Sequence, residues 1–353
     1  MTELAIKQGE NLKEKPSVDR LSFGIHFTDH MLVMDYQAGG WQGGRIEPYS
    51  NLSLDPAATV LHYGQAIFEG LKAYHMKDGR IGIFRPRDAF ARLNRSANRL
   101  CMPAIDEEDV LVGLKALIGV DKEWVPTAKE TSLYIRPFMI ASEAFLGVRP
   151  ASTYKFVIIL SPVGAYYPEG FKPVRIMVEN QYVRAVRGGL GFAKASANYA
   201  ASLLAQEEAK KAGYAQVLWL DGIEQKYVEE VGTMNIFFVI GDELITPSLN
   251  GSILGGITRN SVLTIAKDWG LKVAERQTSI EEIYQASQKG LLKEIFGTGT
   301  AAVISPVNEL NWDGKIIVPG NGGVGELSQK LYQHITGIQY GKVIDTYNWM
   351  EVL

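Results

Sequence analysis

Cysteine is nearly absent: Cys101 is the only one in 353 residues. A single thiol excludes an intrachain disulfide and a cysteine-rich metal site. Long apolar runs are missing as well, none approaching the roughly 20 residues that span a bilayer. Neither sign of charge dominates, because 36 Lys and Arg stand against 39 Asp and Glu. A net charge of −3 gives no electrostatic footing for nucleic acid or an anionic membrane. Residues 1–20 mix Lys7, Lys13 and Lys15 with Glu3, Glu10 and Glu14, and read as a flexible arm. They have neither the apolar core of a signal peptide nor the acid-poor make-up of a transit peptide. Internal repeats and low-complexity segments are also lacking. What is present, 46% hydrophobic and 21% charged residues, suits a globular chain of about two domains, with the cytoplasm as default compartment.

The alternating, β-branched and aromatic stretches 23–27 and 31–36 predict strands. His26 and His30 stand four apart, but on strands that spacing does not form a helical metal pair. Residues 61–74, the turn at 77–80 and the run 81–84 predict a hairpin, followed by a helix over 87–100. That helix carries a basic stripe of Arg92, Arg95 and Arg99, read as a solvated face for the last two. Asp106 reads as the N-cap of the next helix. Gly and Pro mark 166–173 as a linker between a small domain over 21–165 and a larger one over 174–353. Further strands are expected at 132–137, 154–160, 174–178, 216–220, 236–240 and 293–296.

Gly188, Gly189 and Gly191 loosen the backbone ahead of Lys194, which small residues surround. A helix built of good formers follows and closes at Gly213. A lysine held there can lose solvation and its proton and act as an amine nucleophile; alone, a surface lysine on a flexible loop is the commoner reading. Gly255-Gly256-Ile257-Thr258 opens a helix where amides and dipole favour a phosphate. Gly297-Thr298-Gly299-Thr300 follows a strand and offers backbone and hydroxyl donors. Neither is a Walker or dinucleotide motif, and each reads equally as a plain turn. Glu229-Glu230 could face a cation in a pocket or simply end a strand. Together these groups suit a phosphorylated aldehyde cofactor with a basic ring nitrogen, which pyridoxal phosphate is.

Seven ordered motifs carry a family resemblance: 63–73, Phe84-Arg85-Pro86, Tyr134-Ile135-Arg136-Pro137, Lys194 with Asn198-Tyr199, 216–220, 230–235 and 297–301. With them the chain resembles the branched-chain amino acid aminotransferases, fold-type IV pyridoxal-phosphate enzymes. The resemblance implies an α/β (α+β) fold of two domains, the larger one a pseudo-barrel. It implies Lys194 as the Schiff-base lysine and proton shuttle, with Glu230 at the ring nitrogen and Tyr199 at the phenolic oxygen. Arg92, the amides of Ile257 and Thr258, and Thr300 would hold the phosphate. Thr233 and Ala301 would meet the substrate carboxylate, with Tyr134 and Arg136 reading a second one. Phe68, Tyr63 and Tyr166 would wall an apolar pocket for Leu, Ile and Val. Tyr63, Leu146 and Val148 would reach a neighbouring subunit's site, which implies a homodimer. Small-molecule partners would be branched-chain amino acids, glutamate and 2-oxoglutarate, and no metal is implied.

Where animal members of the family carry Cys-x-x-Cys, this chain has Ala302 and Ser305, so no thiol redox control is expected. The alternatives are another fold-type IV activity, a D-amino acid aminotransferase or an aminodeoxychorismate lyase, and a non-catalytic small-molecule binder. The presence of every expected chemical group disfavours the last.

Overall fold

The computed structural model describes residues 4–10, 12–164 and 171–353. The chain divides into two compact units, one of residues 1–166, 193–197 and 337–353, the other of 167–192 and 198–336. The boundary between 166 and 167 falls within the expected linker of 166–173, and 193–197 and 337–353 return to the first unit. Residues 193–197 count with the first unit because Ala195 bridges Ile67. Residues 337–353 do so because Met350–Val352 pairs with Ile81–Phe84. Most of the expected linker, 166–170, lies outside the described residues.

The first unit is built on a ten-stranded, mainly antiparallel sheet. Its middle strands, Ser132–Ala141 and Tyr154–Val163, pair along their whole length and are largely buried, as their Ile, Val, Leu and Phe content requires. Helix Glu107–Val120 packs on strand His30–Gln37. Asp106 caps that helix as expected, accepting from the Asp109 amide. The expected hairpin is present as Leu71–His75 and Ile81–Phe84, turned by Gly79 at φ 85.

Two expectations fail here. Residues 23–27 form no strand: Gly24 takes φ 71, Phe23 turns onto Tyr134 and Phe27 stacks on Tyr49. The described residues of the amino-terminal arm, 4–10 and 12–20, are held in place rather than loose. Ala5–Ile6 adds a parallel strand beside Arg45–Pro48, and the Gly9 amide donates to Nε2 of His30 at 3.0 Å. His30 offers that lone pair because its Nδ1–H is committed to Asp121 at 2.7 Å. The Lys13 amide then reaches Asp29 at 2.8 Å.

In the second unit six strands follow one another: Val228–Val231, Gln216–Leu220, Val174–Val178, Val303–Trp312, Leu292–Gly299 and Met234–Ile240. The last pairs back to the first, closing a barrel. Closure removes the sheet's edges and sets Asn235 opposite both Glu230 and Thr298. One row across three strands thus carries a carboxylate, an amide and a hydroxyl. No helix among the described residues is long and apolar enough to cross a membrane.

Candidate active site

Lys194 is tied into the first unit by its backbone. Its N–H donates to Oγ of Ser96 at 2.9 Å, and its carbonyl accepts from the Phe68 amide at 3.1 Å. Ser96, fully buried on helix Pro86–Arg99, donates in turn to the Arg92 carbonyl at 3.1 Å. The Lys194 Nζ lies 5.1 Å from the Phe68 ring centroid, and the Arg136 guanidinium lies 4.7 Å from the same centroid. An aromatic ring approached by two basic groups is electrostatically useful, since its quadrupole attracts a cation over either face.

Arg136 also donates from Nη2 to the Tyr134 hydroxyl at 3.0 Å, while its buried Nε has no hydrogen-bond partner among the described residues. The Tyr134 hydroxyl comes so close to Gly70 that a Cβ there would stand 2.1 Å from it, which explains the glycine after Glu69. Lys72, opposite Tyr134 in register, is buried, and desolvation brings its ammonium down to about 8. Phe23 lies edge-on to Tyr134, with centroids 4.8 Å apart. None of Phe23, Ser96 and Lys72 is among the expected site residues. Phe23 is hidden in the sequence by the strand-like alternation around it.

Arg92 stands apart from the other arginines of its stripe. It is 5% exposed, and its Nε and Nη2 each donate at 2.8 Å to the two oxygens of Glu69. The basic stripe is therefore not one surface: its inward member is a buried, forked ion pair. The hydroxyl of Tyr63, at the end of helix Thr59–Tyr63, donates to the Leu146 carbonyl. Tyr63, Leu146 and Val148 are all exposed, Val148 by 85%. Tyr166 lies outside the described residues.

The other expected residues belong to the second unit. Glu230, 3% exposed, accepts the Leu254 amide at 2.8 Å on Oε1 and faces Nε of Arg184 at 3.2 Å on Oε2. Its neighbour Glu229 is also buried, and burial pushes its carboxyl up from the ordinary value despite the Ser252 and Asn250 donors. Tyr199 falls inside helix Ser196–Ala201 rather than before the helix. The expected long helix is split at Ser202, and its second part runs Leu203–Lys211.

Ile257 and Thr258 begin helix Ile257–Asp268, whose N-cap, Gly256, supplies no side-chain cap. A Cβ on Gly256 would meet Oδ1 of Asn235 at 1.9 Å, so that helix end can approach the Glu230 row only with glycine. Thr233 is exposed in the turn joining Val228–Val231 to Met234–Ile240, and Thr300 and Ala301 stand in the turn after Gly299. The Thr298 hydroxyl is buried and has no hydrogen-bond partner among the described residues. Among the described residues no group of three or more His, Cys, Asp or Glu is placed to hold a metal ion.

Comparison with known proteins gives these groups a family. The model for class IV amino-transferases matches residues 66–310. Branched-chain-amino-acid aminotransferase 2 of Bacillus subtilis is 60% identical over 338 residues, covering 96% of this chain and 93% of its own. A probable branched-chain-amino-acid aminotransferase of Streptomyces coelicolor is 50% identical, covering 94% and 92%. Among solved structures, the branched-chain amino acid aminotransferase of Escherichia coli superposes with a TM-score of 0.76 at 28% identity, covering 92% of this chain and 98% of that one. The Thermobaculum terrenum enzyme, solved in its PLP-bound holo-form, gives 0.73 at 26% identity, covering 91% and 97%. With a family model over most of its length and relatives above half identity along nearly all of it, the chain belongs to the branched-chain-amino-acid aminotransferases of the class IV amino-transferase family.

Proposed function

We propose that the protein catalyses reversible transamination of L-leucine, L-isoleucine and L-valine with 2-oxoglutarate, using pyridoxal 5′-phosphate held by Lys194. The observation that carries this reading is the Phe68 ring, against which the Lys194 amine and the Arg136 guanidinium both lie, at 5.1 and 4.7 Å. It combines a nucleophilic amine, a carboxylate reader and an apolar wall, the three things such a pair of substrates needs.

The residues suit the cofactor on further grounds. The N-terminus of helix Ile257–Asp268, where Gly256 supplies no side-chain cap, and the buried Thr298 hydroxyl, without a hydrogen-bond partner among the described residues, are donors for a phosphate end. The buried Glu230 carboxylate suits a protonated ring nitrogen. When bound, the cofactor supplies an aldehyde that takes up the amino group and a ring that withdraws electrons. Lys194 would hold that aldehyde and move the proton at the substrate Cα. Glu230 would keep the ring nitrogen protonated, and Tyr199 would donate to the phenolic oxygen. Arg92, oriented by Glu69, would hold phosphate together with the Ile257 and Thr258 amides and Thr300.

Phe68, Tyr63 and Tyr166 would exclude water around the branched side chain. Thr233 and Ala301 would orient the α-carboxylate. When glutamate or 2-oxoglutarate binds, Tyr134 and Arg136 would meet the second carboxylate, and the unpartnered Arg136 Nε supports that assignment. A homodimer in the cytoplasm is the form we propose, with the exposed Tyr63, Leu146 and Val148 covered by a second copy.

Absorbance tests the reading. Purified protein titrated with pyridoxal phosphate should develop a visible band that L-leucine converts and D-alanine does not, and Lys194→Ala should abolish the band. A wild-type protein that stays colourless would overturn it. Sedimentation equilibrium giving a monomer would overturn the dimer.

A further inference from the structure

Arg184 has no role in the chemistry above, yet only 8% of its side chain is exposed. Its Nε lies 3.2 Å from Oε2 of Glu230 without an aligned hydrogen bond, so the contact acts as charge at close range. The Nη2 end donates to the Ser252 carbonyl, and at 3.4 Å to the Gly191 carbonyl. The two backbones are so close that a Cβ on Gly191 would stand 1.9 Å from the Ser252 oxygen. Beyond Ser252, the Leu254 amide donates to the other oxygen of Glu230. One guanidinium thus joins the 188–192 loop, the Ser252 turn and the Glu230 carboxylate.

Two buried carboxyls, Glu229 and Glu230, both lie within reach of this cation's charge. Glu230 has the guanidinium beside it and a backbone N–H on its other oxygen. Glu229 has the Ser252 hydroxyl and the Asn250 amide, both neutral donors. The guanidinium beside Glu230 favours its ionised form, while burial pushes the Glu229 carboxyl up from its ordinary value. Removing the guanidinium would take away a cation that favours an ionised Glu230 next to the buried Glu229.

We propose that Arg184 is a positioning residue that keeps Glu230 ionised and aimed while pinning the glycine loop ahead of Lys194 to the Ser252 turn. The structural half stands alone. Its consequence for the cofactor rests on the proposed role of Glu230.

Infrared spectra of the cofactor-free protein test the first half. Near neutral pH, R184Q should show a protonated-carboxyl band beyond any that wild type shows, and that added band should disappear in R184Q/E230Q. R184K, which restores the charge, should lack the band and guards against a variant that merely folds badly. Titration of pyridoxal phosphate into the same proteins tests the second half. R184Q should bind about tenfold or more weakly, with the loss deepening as pH falls, and E230Q should add little to it.

An unchanged carboxyl band in R184Q overturns the inference. So does an affinity loss that is the same at every pH and additive with E230Q, which would make Arg184 a packing residue. If wild type binds no cofactor but the R184Q band appears, the ion pair stands and the reading of Glu230 as the cofactor's partner falls.

Discussion

Arg92 grips Glu69 with two parallel hydrogen bonds of 2.8 Å, from Nε and Nη2 to separate carboxylate oxygens, at 5% and 0% side-chain exposure. A forked pair this deep is costly to assemble and costlier to break, because removing one partner strands the other charge away from water. Glu69→Gln preserves shape and removes the charge. It should lower unfolding free energy by about 3 kcal/mol, read as a lower urea midpoint at constant slope. If Arg92 is a phosphate ligand oriented by Glu69, cofactor affinity should fall as well, although the variant gains net positive charge.

Lys72 makes stability depend on pH in the alkaline range. Its folded pKa is about 8, against 10.5 unperturbed, because burial disfavours the ammonium. The folded state then binds fewer protons than the unfolded chain between these values, so stability rises with pH there and is lost as pH falls through 8. Relative to Lys72→Met, wild type should gain about 3 kcal/mol between neutral pH and pH 10.5. Urea unfolding of both proteins at a series of pH values checks this. Parallel curves would show the amine to be solvated.

Gly256→Ala probes the close approach at the start of helix Ile257–Asp268. The new Cβ would meet Oδ1 of Asn235 at 1.9 Å. Asn235 is short and buried, and its amide donates to the Leu254 carbonyl at 2.8 Å, so it has little freedom to retreat. The substitution should cost about 1–3 kcal/mol of stability. It should also weaken pyridoxal phosphate binding in a fluorescence titration more than Gly255→Ala does. At Gly255 the nearest side-chain atom to a new Cβ is 3.6 Å away.

Features written in neighbouring residues are legible in the sequence alone. The Asp106 cap, the hairpin at 71–84 and the strand Val174–Val178 rest on turn chemistry and short-range patterning, which a few residues specify. The amino-terminal arm defeats such reading for the opposite reason. Its charged, polar composition resembles a solvated tail, and only the distant His30–Asp121 pair, 91 residues apart, gives Gly9 an acceptor. The same holds for 23–27, where aromatic alternation serves side-chain stacking on Tyr134 and Tyr49 instead of a sheet.

By itself, the sequence determined the set of reactive groups and their order: a lysine after glycines, an acid beside Gly-Thr, glycines opening a helix. Their motifs sufficed for the family. Tertiary structure decided what each group faces. Ser96 meets Lys194 across 98 positions, Glu69 meets Arg92 across 23, and Arg184 reaches Glu230 through a barrel closed by Met234–Ile240 pairing back to Val228–Val231. No local pattern encodes such meetings. A buried charge is placed by the desolvation it must offset, and that quantity exists only once the chain has closed around it.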